Sequence, residues 1–457
     1  MLDDEGHATE LLRSARLTLS DDHRDGGEPF SAGRLLRSAR QLTGAGEETS
    51  SLHLLVALIQ SDDLLAIRLA DHGLSEDTIR EQFPTGNAPP GASISTDIRI
   101  APAAAAVDDL SATWRILDAA ANRAREGLRV LEDHARFGLD DAHLTERLKQ
   151  VRHRLAELLQ TLLGDRAIRL RNTPGDVGTA VHTRFEASRD TERDIVRANA
   201  CRVQEALRTL EEYSKRIDSF SAAQIGQLRY ESYPLEQALL TAQMARGRLG
   251  GVSLCLLATD ALCPQGVGPV VLAALEAGCP MVQLREKSVP DDQLLLRAKL
   301  LREWTRETGA LLIINDRPDL AVLVDADGVH VGQEDLPVAA VRRIVGSDRL
   351  VGVSTHNLAQ VRKAVDDGAD YLGVGPVFPS STKSFDNFVG LEFVQAAVQE
   401  TSLPCFAIGG VDAANVSQVA ASGCRRVAVS GAICSASDPS AATRKLLDQL
   451  EAPQKSD

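Results

Sequence analysis

The stretch LLIINDRPDLAVLVDADGVHVGQED, residues 311–335, delivers two acids, Asp316 and Asp335, each just after a short apolar run. A carboxylate held short of water without a partner costs free energy. Either both acids are solvated in loops, or a cation is held between them. Candidate cations follow other apolar runs: Arg285 and Lys287 after MVQL, and Lys383 at the end of GPVFPSSTK. Two carboxylates facing one polar space suit Mg²⁺, which takes one or two carboxylates and completes its shell with phosphate oxygens and water. Arg and Lys on the same rim suit a polyphosphate. The alternative is a solvated acid and a helix N-cap, because Asp335 precedes LPVAAVRRIV and could cap it.

These groups need a scaffold that brings distant loops together. Eight apolar runs have strand character: VSLCLLA (252–258), MVQLR (281–285), LLIIN (311–315), DGVHV (327–331), LVGVS (350–354), DYLGV (370–374), CFAIG (405–409) and RVAVS (426–430). Helix-period segments such as NLAQVRKAVDDGA fill most gaps. The pattern predicts an α/β fold, a C-terminal (β/α)8 TIM barrel over 250–450, preceded by two all-α regions. Catalytic groups in that fold come from the C-terminal ends of the strands. Those ends carry Arg285, Glu286 and Lys287, then Asn315 and Asp316, then Gln333, Glu334 and Asp335, then Ser354, Thr355 and His356. Gly409, Gly410 and Ser430–Gly431 follow the last two strands. Glycines there let backbone amides approach a phosphate; the alternative is a pair of tight turns.

The rest of the chain reads as helix. Residues 1–85 carry helical periodicity, with LLRSAR at 11–16 and again at 35–40; 86–107 has the composition of a linker; 108–245 is helical again. EGLRVLED (126–133) recurs as EALRTLEE (205–212), an offset of 79 residues, with Asn122 and Asn199 preceding the copies. The plain reading is two solvated helices with Glu126–Arg129 and Glu205–Arg208 pairs. Duplication also predicts that the two helices pack with pseudo-symmetry. The formal charge of −14 disfavours nucleic acid and anionic membranes. The apolar runs are too short to span a bilayer, and the acidic N-terminus lacks the pattern of a signal peptide. Seven cysteines without a CxxC pair predict reduced thiols in a cytoplasm.

QLREK (283–287), IIND (313–316), GVHVGQEDL (328–336), GVSTH (352–356), GPVFPSSTK (375–383), AIGGV (407–411) and VAVSGAI (427–433) resemble thiamine phosphate synthases, in order and across nearly all of 250–450. The resemblance implies that 4-amino-2-methyl-5-hydroxymethylpyrimidine diphosphate is joined to 4-methyl-5-hydroxyethylthiazole phosphate with release of pyrophosphate. It implies pyrimidine-diphosphate contacts at Gln283, Leu284, Arg285, Glu286, Lys287, Asn315, Ser354 and Lys383, with Arg285, Lys287 and Lys383 as the catalytic cations. It implies Mg²⁺ ligands at Asp316 and Asp335. It implies a thiazole-phosphate site at Ser380, Ser381, Thr382, Gly410 and the backbone of Ser430–Gly431. SG at 430–431 departs from the family, where many members carry a bulkier residue followed by Ser; backbone amides serve there equally. No acid–base dyad is required, so His356 reads as a positioning residue, and Cys255 and Cys405 read as core.

The middle region resembles a helical domain fused to some of these synthases and proposed to be an alternative hydroxymethylpyrimidine phosphate kinase. It carries no GxxxxGK[ST] loop. Its candidate residues are Asn122, Arg125, Glu126, Asn199, Arg202 and Glu205, with Asp176 and Gly178 in the polar loop LRNTPGDVGTAVHT (170–183). The alternative is a structural element mediating contacts in a homo-oligomer. Residues 30–83 resemble the N-terminal helical repeat of Clp chaperone ATPases, which implies peptide or protein-partner binding. For the barrel, the alternatives are a paralogue that isomerises the thiazole phosphate and an inactive barrel in a scaffold protein.

Overall fold

The computed structural model describes residues 110–164, 166–169, 189–379 and 388–451, together with Val56. Residues from Ala106 onward form one compact unit, distinct from residues 1–105. The expectations for the Clp-like region, the linker, Asp176, Gly178 and residues 380–383 lie outside the described residues.

Four long helices open the described part: α1 Ser111–Asp133, α2 Ala142–Leu163, α3 Glu192–Ser214 and α4 Ser219–Leu249. The duplicated octapeptides lie on α1 and α3, which pack together: a Cβ on Gly127 would meet Val203 Cγ2 at 2.7 Å and the Asn199 carbonyl at 3.2 Å. The repeat extends further than the octapeptides. Arg129 pairs with Glu132 at 3.2 Å and Asp133 at 3.4 Å; Arg208 pairs with Glu211 at 3.3 Å and Glu212 at 2.9 Å. Arg152 on α2 reaches Glu132 at 2.7 Å, and Arg229 on α4 reaches Glu211 at 2.9 Å. Asp141 caps α2 and Asp218 caps α4. The unit of duplication is therefore a helical hairpin, and each arginine of the octapeptide pairs forward rather than back to Glu126 or Glu205.

Eight parallel strands then close into a barrel in the order β1 to β8. They are β1 Leu254–Ala258, β2 Met281–Leu284, β3 Leu311–Asn315, β4 Gly328–Val331, β5 Leu350–Thr355, β6 Tyr371–Val374, β7 Cys405–Ile408 and β8 Val427–Val429. Between and after them run α5 Val267–Glu276, α6 Asp291–Thr308, α7 Pro318–Leu323, α8 Val338–Val345, α9 Leu358–Asp366, α10 Gly390–Glu400, α11 Val416–Ala421, α12 Gly431–Cys434 and α13 Pro439–Glu451. Because side chains alternate along a strand, the barrel has two cores. Leu254, Leu256, Leu312, Ile314, Val351 and Val353 face the helices, while Cys255, Leu257, Met281, Ile313, Leu350, Tyr371 and Phe406 fill the interior.

The helical hairpins dock on the end of the barrel away from the strand C-termini. Leu249, the last residue of α4, is fully buried in the inner barrel core, so α4 runs from one region into the other without a linker. The Asp141 carboxylate accepts hydrogen bonds from Leu144 N at 2.8 Å, Thr401 Oγ1 at 2.9 Å, Ser402 N at 2.8 Å and Ser402 Oγ at 3.0 Å. Asp366 on α9 receives His143 at 2.9 Å and Arg147 at 2.7 Å. Asp141→Ala removes a helix cap and strands buried donors on both sides of the contact. Chemical denaturation should show a loss of about 2–4 kcal/mol; a loss below ~0.5 kcal/mol would mean the contact adds nothing.

Candidate active site at the barrel mouth

Alternation along the strands decides what reaches the mouth. Gln283, Asn315, His330 and Ser354 each lie two residues beyond an interior position, at Met281, Ile313, Gly328 and Gly352. They therefore point inward at the end where the strands stop. There the barrel opens into a cavity of about 830 Å³, the size of a small-molecule site. Gln283, Arg285, Lys287, Asn315, Asp316, Asp335 and Ser354 line one side; Gly410, Ser430 and Gly431 line it from the last two strands.

Two residues from the sequence expectation do not line the cavity. Leu284 falls on the outward phase of β2 and packs among the helices. Glu286 turns away from the mouth, accepting from Asp260 N at 2.8 Å and pairing with Arg297 at 3.0 Å. The pairing fixes the loop that presents Arg285 and Lys287.

Asp316 leaves β3 with φ of 62°, in the left-handed region, which a non-glycine residue enters at a cost of order 1–3 kcal/mol. Its amide donates to the His330 carbonyl at 2.8 Å, which holds the bend. The bend directs the carboxylate toward Asp335. Burial pushes the Asp316 carboxyl above the usual carboxylate range, the neighbouring Asp335 adds to this, and Lys287 opposes it. Lys287 Nζ is 3.5 Å from Asp316 Oδ2. Asp335 is anchored by Gly332 N at 2.7 Å and does not cap α8, whose N-cap is Pro337.

The opposite wall includes Gly409, Gly410, Ser430 and Gly431. Gly409 and Gly410 have φ of 96° and 64°. A Cβ on Gly410 would come within 2.4 Å of the Pro379 carbonyl, and one on Gly409 within 2.7 Å of Pro376 Cβ. Val377 N and Phe378 N donate to Ile408 O and Gly409 O at 2.9 and 3.0 Å. The glycines thus hold the segment Pro376–Pro379 after β6. The Ser430 hydroxyl donates to Leu257 O at 2.8 Å, so its side chain is already committed and its backbone is what faces the cavity. His356 lines the cavity and its Nδ1 bonds the Gly375 carbonyl at 2.5 Å, a positioning contact.

Residues 254–433 match the family described as "Thiamine monophosphate synthase", and residues 115–238 match the ThiD2 family. The thiamine-phosphate synthase of Synechocystis sp. is 45% identical over 340 residues, covering 74% of this chain and 97% of its own. That of Rhodopirellula baltica is 47% identical over 333 residues, covering 70% and 88%. A solved thiamine phosphate pyrophosphorylase from Pyrococcus furiosus is 36% identical, covers 44% of this chain and 96% of its own, and has a TM-score of 0.41. The chain belongs to the thiamine-phosphate synthase family. The family is one of transferases, and these relatives align over a length that exceeds the barrel, so the preceding helices are shared with them.

The described middle-domain candidates lie on α1 and α3, which pack together. Arg125, Glu126, Arg202 and Glu205 are exposed, and Asn122 is partly buried. Asn199 is buried, with its Nδ2 bonded to Ile195 O at 2.8 Å and its Oδ1 to Arg202 at 3.2 Å. None of them lines the barrel cavity.

His330 is the functional candidate that strand reading passed over. It stands on the cavity floor with Nδ1 3.2 Å from the Tyr371 hydroxyl and Nε2 2.9 Å from Ser354 Oγ. Its signal in the sequence is a histidine on the inward phase of a strand whose neighbour carries glycine at the paired position, Gly352. Burial, with help from nearby Arg285, lowers its pKa from 6.5 to about 4. The folded state therefore binds its proton later than the unfolded state as pH falls. Its stabilising share is present above pH 6.5 and is lost between about 6.5 and 4, on the order of 3 kcal/mol. His330→Asn should flatten the acid limb of the stability–pH curve; an unchanged acid limb would show that His330 takes up its proton as readily in the fold as in the unfolded chain.

Proposed function

We propose that the barrel condenses 4-amino-2-methyl-5-hydroxymethylpyrimidine diphosphate with 4-methyl-5-hydroxyethylthiazole phosphate to give thiamine phosphate and pyrophosphate. The observation that carries this is the convergence of Asp316, Asp335, Arg285 and Lys287 on one side of a cavity whose other wall is the Gly410 and Ser430–Gly431 backbone. The carbon–oxygen bond to diphosphate breaks at a benzylic carbon whose positive charge the aminopyrimidine supports. The chain has to stabilise the departing diphosphate and hold the thiazole nitrogen in line with that carbon. Arg285 and Lys287 supply fixed positive charge on the departing side. Gln283, Asn315 and Ser354 sit deeper and suit the pyrimidine ring. The glycine wall suits the thiazole phosphate, at a distance from the leaving group.

The donor set fits a magnesium ion. Asp335 lies close enough to Asp316 to add to the effect of burial in disfavouring the ionisation of Asp316. Among the described residues no cluster of three or more His, Cys, Asp or Glu offers a closed metal cage, whereas a carboxylate pair leaves positions for substrate oxygens and water. Bound there, Mg²⁺ would neutralise charge developing on the diphosphate. The seven free thiols, six of them buried, suit a reducing cytoplasm. Among the described residues no helix is long and apolar enough to cross a membrane.

The ThiD2 match over 115–238 favours a second activity, phosphorylation of hydroxymethylpyrimidine phosphate to the diphosphate that the barrel consumes. Purified protein with Mg²⁺ and thiazole phosphate tests both. Pyrimidine diphosphate in one tube should give thiamine phosphate through the barrel. Pyrimidine monophosphate plus ATP in the other should give it through both activities. Asp316→Asn and Arg285→Ala should each lower kcat/KM of the first reaction by roughly 10²-fold or more. Product from pyrimidine diphosphate at undiminished rate in both variants contradicts the assignment; silence in the second tube alone removes the kinase.

A further inference from the structure

The cavity floor contains a chain of three hydrogen-bonding groups whose direction is determined by burial. His330 on β4 and Tyr371 on β6 meet across β5 because Gly352 stands between them in register. A Cβ at Gly352 would lie 2.1 Å from Tyr371 Cζ and 2.5 Å from His330 Nδ1. Gly373, paired with Ser354, leaves the matching space on the other side: a Cβ there would lie 3.3 Å from His330 Cε1. Phe406 holds the tyrosine ring edge-on at 5.5 Å. The slot therefore admits one arrangement of the three side chains.

Tyr371 is 2% exposed. A buried phenol has one proton to donate, and an unmet donor is costly. Among the described residues its hydroxyl bonds to His330 Nδ1. That nitrogen must then accept, which places the ring proton on Nε2. Nε2–H donates to Ser354 Oγ at 2.9 Å. With that lone pair engaged, the Ser354 hydroxyl turns its own proton into the cavity.

We infer that Tyr371, acting through His330, fixes Ser354 as a hydrogen-bond donor and thereby selects a ligand ring that presents an unprotonated nitrogen at that point. Tyr371 and His330 are positioning residues; Ser354 is the group that touches the ligand. The inference rests on the pyrimidine site proposed above and adds the polarity by which one ring nitrogen is read.

Two measurements test it. A two-bond ¹H–¹⁵N spectrum of the intact wild-type protein should show His330 as the Nε2–H tautomer. An Nδ1–H tautomer overturns the relay, whatever the protein turns out to catalyse. In the second, the aminopyrimidine alcohol competes with pyrimidine diphosphate alongside analogues in which each ring nitrogen in turn is CH. One analogue should bind roughly tenfold more weakly to wild type, and that discrimination should fall to within about twofold in Tyr371→Phe. The variant's KM for the diphosphate should rise by roughly tenfold, with kcat lowered by less than about threefold. Discrimination kept intact in Tyr371→Phe overturns the inference. A wild-type protein that makes no thiamine phosphate overturns the proposed function instead, and the tautomer still decides the relay.

Discussion

The half-buried Asp316 carboxylate is held near the exposed Asp335, and the organisation of the barrel mouth follows from that constraint. Burial, and then the like charge beside it, disfavour the ionisation of Asp316. A fold that keeps them there must hold them by main-chain geometry. Asp316 is fixed by a left-handed backbone and a bond to the His330 carbonyl, Asp335 by the Gly332 amide. Lys287 relieves part of the charge from 3.5 Å. A dication together with a diphosphate would relieve the rest, and under the proposed function the strain and repulsion of the free site would become affinity for that pair.

Among the described residues, the rest of the barrel and its helices leave this mouth open. The outer core binds strands to helices, and the interior residues below the mouth make a solid floor. The helical hairpins attach at the far end, through Leu249 in the inner core and Asp141 against Thr401 and Ser402. That contact sits at the entrance to β7, whose exit carries Gly409 and Gly410. The helical region is therefore built into the barrel's foundation rather than tethered beside it.

Much of this was legible in the sequence because barrels place chemistry at a predictable point. Eight apolar runs located the strands, and the polar residue at each exit located the cavity wall. The reading was weaker where side-chain phase mattered. Leu284 and Glu286 belong to the same motif as Gln283 and Arg285, yet strand alternation sends Leu284 outward and Arg297 captures Glu286. The duplication was visible only in α1 and α3. In α2 and α4 it survives as a cap, Asp141 and Asp218, and a partner arginine, Arg152 and Arg229, too sparse to read without knowing that Glu132 and Glu211 are their partners. His330 escaped notice because its partners come from β5 and β6, which only the closed sheet brings alongside.

The central claim is that the carboxylate pair and the neighbouring cations hold a diphosphate together with magnesium. Calorimetric titration of inorganic pyrophosphate into the intact protein, with and without Mg²⁺, measures this without any turnover. Binding should be at least about tenfold tighter with Mg²⁺, and Asp316→Asn or Asp335→Asn should abolish that difference. Equal affinity with and without the ion, or a difference that survives both substitutions, would contradict the account.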